Sequence, residues 1–122
     1  MQRIMLKSKL HRATLTATDL HYEGSITIDG KLLRAADILP GEQVHVLNLN
    51  NGARIVTYAI AGPDDSGVML LNGPAARAGM VGDIIVVLTY AHVDEKELAG
   101  YMPTILNLDE NNRIVSKEKR KS

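Results

Sequence analysis

The sequence contains no cysteine, tryptophan or phenylalanine, and each absence closes off a region of chemistry. Without cysteine there is no disulfide, thiolate-bound metal, iron–sulfur cluster or thiol nucleophile, and a reducing, cytoplasmic setting is expected. Aromatic residues make up 3% of the 122 residues, all of them tyrosine, while hydrophobic residues reach 45%. The core must therefore be assembled from Ile, Leu, Val, Met and Ala. No apolar run approaches the roughly 18 residues of a membrane span. The opening MQRIMLKSKLHR is too interrupted by charge to be a signal peptide, so a soluble protein that is not exported is expected.

Several common motifs are also missing. His11, His21, His45 and His92 are scattered with no HxH or HExxH spacing, which leaves a metal site without support. The glycines form neither GxGxxG nor a Walker loop, and no GxSxG elbow marks a serine hydrolase.

What is present fits one domain, since the chain is shorter than the roughly 150 residues typical of one. Formal charge sums to zero but is unevenly spread: residues 113–122 hold five Lys/Arg against one Glu, leaving 9 basic and 13 acidic side chains in residues 1–112. The expectation is a folded body over 1–112 and a basic, solvated tail over 113–122. The acidic body argues against a nucleic-acid partner. Arg3, Lys7, Lys9, His11 and Arg12 all precede the first acid, Asp19, which points to an anion near that segment.

Short apolar alternations separated by turn signals predict a β-rich domain. Over residues 10–17, His11, Ala13, Leu15 and Ala17 are expected on one face of a strand, with Leu10, Arg12, Thr14 and Thr16 on the other. Ser25 to Asp29 reads as a short strand followed by a helical turn through KLLRAA, with Asp29 as its N-cap. Val44 to Leu49 and Arg54 to Ile60 flank Asn50-Asn51-Gly52, and the Asn-Gly pair predicts a tight hairpin with positive φ angles. A loop is expected at GPDDSG (62–67), strands at VMLL (68–71), IIVVLTY (84–90) and TILNL (104–108), and helical turns at ARAG (76–79) and 94–99. Six or so strands favour a small closed barrel, because closure removes unpaired edges.

One pair of residues could act on the chain itself. Glu23-Gly24-Ser25 is, taken alone, an ordinary turn sequence. A serine after glycine can nevertheless attack the carbonyl of its own preceding peptide when the backbone brings oxygen and carbon together, and glycine permits that bend. The resulting ester can eliminate to a dehydroalanine, which hydrolyses to an amino-terminal pyruvoyl group. The chain is then cut in two.

The runs KLHRA (9–13), DLHYEGS (19–25), NGARIVTYAI (51–60), NGPAA (72–76) and GDIIVV (82–87) resemble, in this order, the aspartate 1-decarboxylase family. The resemblance covers nearly everything except the tail. It implies a mainly β fold, a double-psi six-stranded β-barrel with short helical turns, assembled as a homotetramer of processed protomers. It also implies cleavage between Gly24 and Ser25 into a β chain of residues 1–24 and an α chain of 25–122. Ser25 becomes a covalent pyruvoyl group that forms a Schiff base with L-aspartate, with no pyridoxal phosphate and no metal, and releases β-alanine and carbon dioxide for pantothenate biosynthesis. Tyr58 matches the proton donor, and Thr57 the residue that hydrogen-bonds the oxyanion during processing and later the substrate.

Arg54 and Lys9 match the carboxylate-binding cations, and which carboxylate each holds stays open. Asn72, Gly73, Pro74 and Ala75 match the segment that closes over the substrate through backbone N–H groups, although Pro74 stands where alanine is expected and has no N–H to give. His11 and Tyr22 are expected near the site wall. On a regular strand Arg54 and Tyr58 share a face and Thr57 points the other way, so one site for all three needs a strand bend or a subunit interface. A non-catalytic barrel that binds or assembles, and a DNA-binding barrel using its basic tail, are the alternatives. Whether cutting is spontaneous or assisted by a maturation partner is open at this level.

Overall fold

Strand β1 (Gln2–Thr14) is paired on both sides and carries the most consequential irregularity of the fold. The computed structural model describes residues 1–120. Leu10 and Ala13 are both fully buried, although regular alternation places them on opposite faces. The reason is Arg12, whose φ of 64° inserts an extra residue: pairing with the neighbouring strand steps from Leu10↔Val87 to Ala13↔Ile85, three residues against two. A bulge of this kind re-aims every following side chain, which corrects the expected faces of residues 10–17.

The remaining elements in chain order are β2 (Ala17–Asp19), β3 (Ser25–Asp29), α1 (Gly30–Ala35), β4 (Gln43–Asn48), β5 (Arg54–Gly62), β6 (Met69–Asn72), β7 (Ile84–Asp94), β8 (Thr104–Leu108) and β9 (Ile114–Lys119). Two 3₁₀ helices, Gly73–Ala78 and Glu95–Gly100, occupy the predicted helical turns. Asp29 caps α1 as expected, accepting from Lys31 N at 2.9 Å. The nine strands form one sheet in the order β2-β6-β3-β5-β4-β7-β1-β8-β9. Three of its pairs, β1/β8, β2/β6 and β3/β5, are parallel and the others antiparallel. The fold is mainly β and barrel-like, in accord with a double-psi barrel, with β2 and β9 as strands beyond those expected.

The sheet wraps a core of aliphatic side chains and Met69. Leu10, Ile26, Ile28, Leu33, Val44, Val87 and Leu106 all belong to one buried cluster. Each fully buried aliphatic side chain contributes about 1.5–3 kcal/mol. The β4–β5 connection departs from the tight Asn-Gly turn. Gly52, at φ 76°, has the left-handed conformation and Asn51 does not. Gly52 N donates to Asn48 O at 2.9 Å, while Asn51 Oδ1 accepts from Ala53 N at 2.8 Å, so side chains complete a longer loop.

The basic tail is also corrected. Residues 114–119 are β9, paired antiparallel with β8 from Leu108↔Ile114 to Thr104↔Lys119. Its charges are those of an edge strand, where Lys and Glu keep a sheet margin in water, and that composition imitates a solvated tail. Lys121 and Ser122 lie outside the described residues. Among the described residues no helix is long and apolar enough to cross a membrane.

If β9 covers β8 as the pairing indicates, removing residues 114–122 should lower the thermal unfolding midpoint by about 4 °C or more. An unchanged midpoint by calorimetry would mean the strand contributes nothing.

Candidate active site

Asn72, the last residue of β6, lies opposite Asp19 of β2 on one side and opposite Ser25 of β3 on the other. The connection 20–24 must therefore cross over the end of β6, and it does so at Gly73. Gly73 has φ 62°, and a Cβ there would lie 2.5 Å from Tyr22 O and 2.7 Å from Gly24 N. Only a residue without a side chain lets the two backbones cross this closely. Gly24 and Ser25 are the point where the crossing chain re-enters the sheet.

Ser25 is fully buried, and its hydroxyl is held from two sides. Ser25 Oγ donates to Glu23 O at 3.2 Å and accepts from Asn72 Nδ2 at 2.9 Å. The same nitrogen of Asn72, itself buried, donates to Thr27 Oγ1 at 2.9 Å. Thr27 was not singled out in the sequence. Its signal is the two-residue spacing from Ser25 on one strand, which acquires meaning only once the opposing register is known.

Beside this junction β5 has a free edge. Its pairing with β3 begins at Ile26↔Ala59, so among the described strands residues 54–58 pair with β4 alone. A cavity of about 460 Å³ follows that edge, lined by Gly24, Ile55, Val56, Thr57, Tyr58, Pro74 and Ala75. Thr57 pairs with the core residue Val44, and Tyr58 pairs with Gln43, which is exposed, so the two do point to opposite faces. Both nevertheless border one cavity, because it runs along an unpaired strand margin reached from either face. No strand bend is required for these two.

The cations lie elsewhere in the chain. Arg54 Nη2 donates to Tyr90 Oη at 3.3 Å and sits 3.3 Å from His45 Nδ1. His45 meets Tyr90 edge-on, with ring centroids 5.0 Å apart. Lys9 pairs with Leu88, which pairs with His45, so Lys9 shares this outer sheet face with Arg54. His11 pairs with Asn107 of β8. Burial, followed by the charges of Lys9, Arg12 and Arg120, holds its pKa below the ordinary 6.5, and its Nδ1 is buried without a hydrogen bond. Tyr22 is exposed, its carbonyl oxygen directed at Gly73. Gly24, Ser25, Thr57, Tyr58, Asn72, Gly73, Pro74 and Ala75 are thus brought together, and Lys9, His11 and Arg54 are not. Among the described residues no three His, Asp or Glu side chains cluster at metal-binding reach.

Fold and site together define a small β-barrel protein with a buried, doubly held serine at a chain crossing and a groove alongside. A sequence model of the aspartate decarboxylase family matches residues 1–115. The aspartate 1-decarboxylase of Syntrophobacter fumaroxidans is 60% identical over 116 residues, covering 95% of this chain and 94% of that protein. The enzymes of the same name from Moorella thermoacetica and Thermoanaerobacter pseudethanolicus are 56% and 54% identical, covering 98% and 95% of this chain and 93% and 99% of theirs. The chain belongs to the aspartate decarboxylase family.

Two outcomes follow from this geometry. Gly73→Ala adds a Cβ where there is no room and strains a positive φ, so it should lower unfolding free energy by about 2–4 kcal/mol in a urea titration. A variant as stable as the parent would mean that the crossing relaxes freely. For His11, the depressed pKa means that the unfolded chain binds a proton more readily than the folded one. The stability its neutral ring contributes is complete above 6.5 and is lost as pH falls through the folded value. His11→Gln should therefore flatten the decline of stability below pH 6.5, and parallel profiles would contradict the assignment.

Proposed function

We propose that this chain is a self-processing, pyruvoyl-dependent decarboxylase that converts L-aspartate to β-alanine and carbon dioxide for pantothenate biosynthesis. One observation carries the reading: the Ser25 hydroxyl is buried and fixed between Glu23 O and Asn72 Nδ2, next to a glycine peptide that opens on a groove. Burying a hydroxyl this completely is costly unless its bonds are made, and here they hold the oxygen beside the bond to be cut. The residues fit the group that cleavage would leave, since position 25 is walled by β6 on one side and faces the groove at Gly24. Once formed, that ketone supplies an electron sink for the pair released when a carboxylate departs.

The chain's own residues do the rest. Thr57 donates to the oxyanion at residue 24 during cutting and then to the substrate. Tyr58 returns a proton from its phenol oxygen to the carbon that has lost carbon dioxide. Gly73 and Ala75 offer backbone donors at the groove mouth. Pro74 offers none and contributes shape, with its Cδ 3.5 Å from the position of a Cβ on Gly24. Lys9 and Arg54, on the outer sheet face, serve the groove of a neighbouring protomer in a homotetramer, and Tyr22 lies at the junction, while His11, paired with Asn107, lies away from it. The exposed apolar side chains of Ile4 and Val56 on that outer face favour such contact. Cutting does not release residues 1–24, because β1 lies between β7 and β8 and pairs with both.

Intact-mass analysis should find fragments 1–24 and 25–122, the larger without a free amino terminus. Ser25→Ala should stay whole and inactive. Tyr58→Phe should be cut normally while turnover falls about 10²–10⁴-fold. Production of β-alanine by one unbroken chain would overturn the reading.

A further inference from the structure

Asn72 is the hub of the buried polar cluster, and its second hydroxyl partner is Thr27. Ser25 and Thr27 occupy alternate positions of β3 and share a face, with Asn72 directly opposite Ser25 on β6. From there its carboxamide reaches one hydroxyl across the ladder and the other along the diagonal. Its Nδ2 has two N–H groups, and both are committed, to Ser25 Oγ and Thr27 Oγ1 at 2.9 Å each. The Ser25 proton goes to Glu23 O, so Ser25 Oγ is an acceptor towards Asn72. An amide turned the other way would present Oδ1 to both hydroxyls and compete with Glu23 O for that proton. Thr27 gives the second N–H an acceptor at a fixed place. Its methyl lies against Gly62, where an added Cβ would stand 3.1 Å from Thr27 Cγ2, and a β-branched side chain held at its methyl has its hydroxyl direction set.

We propose that Thr27 is a positioning residue that keeps one Asn72 N–H directed at residue 25 both before and after the Gly24–Ser25 bond is cut. The inference rests on the self-processing reading above. In the first step Ser25 Oγ bonds to the Gly24 carbonyl carbon, the Gly24–Ser25 C–N bond breaks, and the hydroxyl proton ends on the Ser25 nitrogen. Loss of the Ser25 Cα proton to solvent then expels Gly24 as a carboxylate that carries Oγ away. Water replaces the nitrogen, which leaves as ammonia, and no oxidant or reductant is consumed. Asn72 thereby loses one of its two acceptors. Thr27 Oγ1 retains the other N–H, so the freed one stays aimed at position 25, available to an oxygen there. Without that anchor the amide is free to rotate at the moment its second partner disappears.

The test follows the full-length chain made by cell-free translation, with the cut fraction read on denaturing gels over time. Thr27→Val, which keeps the shape but not the acceptor, should slow cutting about fivefold to tenfold, as expected for one lost buried hydrogen bond. Thr27→Ser, which restores the hydroxyl, should return the rate to within about twofold of the parent. Per cut chain, the valine variant should show a raised KM for aspartate with a smaller change in kcat. In an Asn72→Ala background, Thr27→Val should change nothing further. Parental cutting and KM in the valine variant, or an equal effect in the Asn72→Ala background, would overturn the role of Thr27 while leaving self-processing intact. A parent chain that never cuts would overturn both.

Discussion

The absence of a side chain at Gly73 is the constraint on which the rest of the site depends. With a Cβ position 2.5 Å from Tyr22 O and 2.7 Å from Gly24 N, this residue lets the connection 20–24 pass over the end of β6 at backbone contact distance. Because the chain crosses there, β2 and β3 flank the same short strand, and Ser25 begins β3 inside the protein, away from bulk solvent. Glu23 O and Asn72 supply the missing partners. The far end of β3 is equally tied: Asp29, also buried, accepts from Lys31 N, Asp65 N and Gly67 N at 2.9, 3.1 and 3.0 Å. A five-residue strand fixed at both ends is a rigid mount for a reacting group, and rigidity in an immediate support is what chemistry at fixed geometry requires.

The same topology places the groove. Since β3 starts only at Ser25 and meets β5 only from Ala59 onward, the first half of β5 is left with one unpaired margin. Unpaired margins usually invite another strand. Here the Pro74-Ala75 turn and Gly24 stand across from it, and the space between is a cavity, not a ladder. The free strand edge and the Gly24–Ser25 junction are two consequences of one late-starting strand.

Much of this was readable from sequence where the signal was local. The Ser25–Asp29 strand, its Asp29-capped helix and the apolar β7 are short-range patterns that tertiary contacts reinforce. The bulge at Arg12 was not readable, because alternation assumes regular backbone and nothing about an arginine announces a positive φ. The strand β9 was masked by its own charge: a margin strand and a disordered tail draw on the same residues, and only the partner β8 distinguishes them. At the site, Gly24 and Ser25 are adjacent in sequence, so their chemistry could be argued directly. Thr27 acquires its place only from the Ser25↔Asn72 register, a long-range fact that one sequence does not fix. The opposed directions of Thr57 and Tyr58 were foreseen correctly; a single site for these two with Arg54 was expected to need a bend or a second subunit, and it is Arg54 alone that lies off the groove.

The charge distribution bears on assembly. Every residue lining the groove is uncharged: Gly24, Ile55, Val56, Thr57, Tyr58, Pro74 and Ala75. Such a wall suits the carboxylate that leaves, because a neutral surround favours carbon dioxide over the anion it comes from. It does not suit a carboxylate that stays, which needs a cation to offset its lost hydration. Arg54 and Lys9 lie on the outer sheet face, beside Tyr90, His45 and Leu88, and do not line the groove. A substrate with two carboxylates therefore finds half of its requirements in one copy of the chain. The other half faces outward, which is the arrangement the proposed assembly of copies would use.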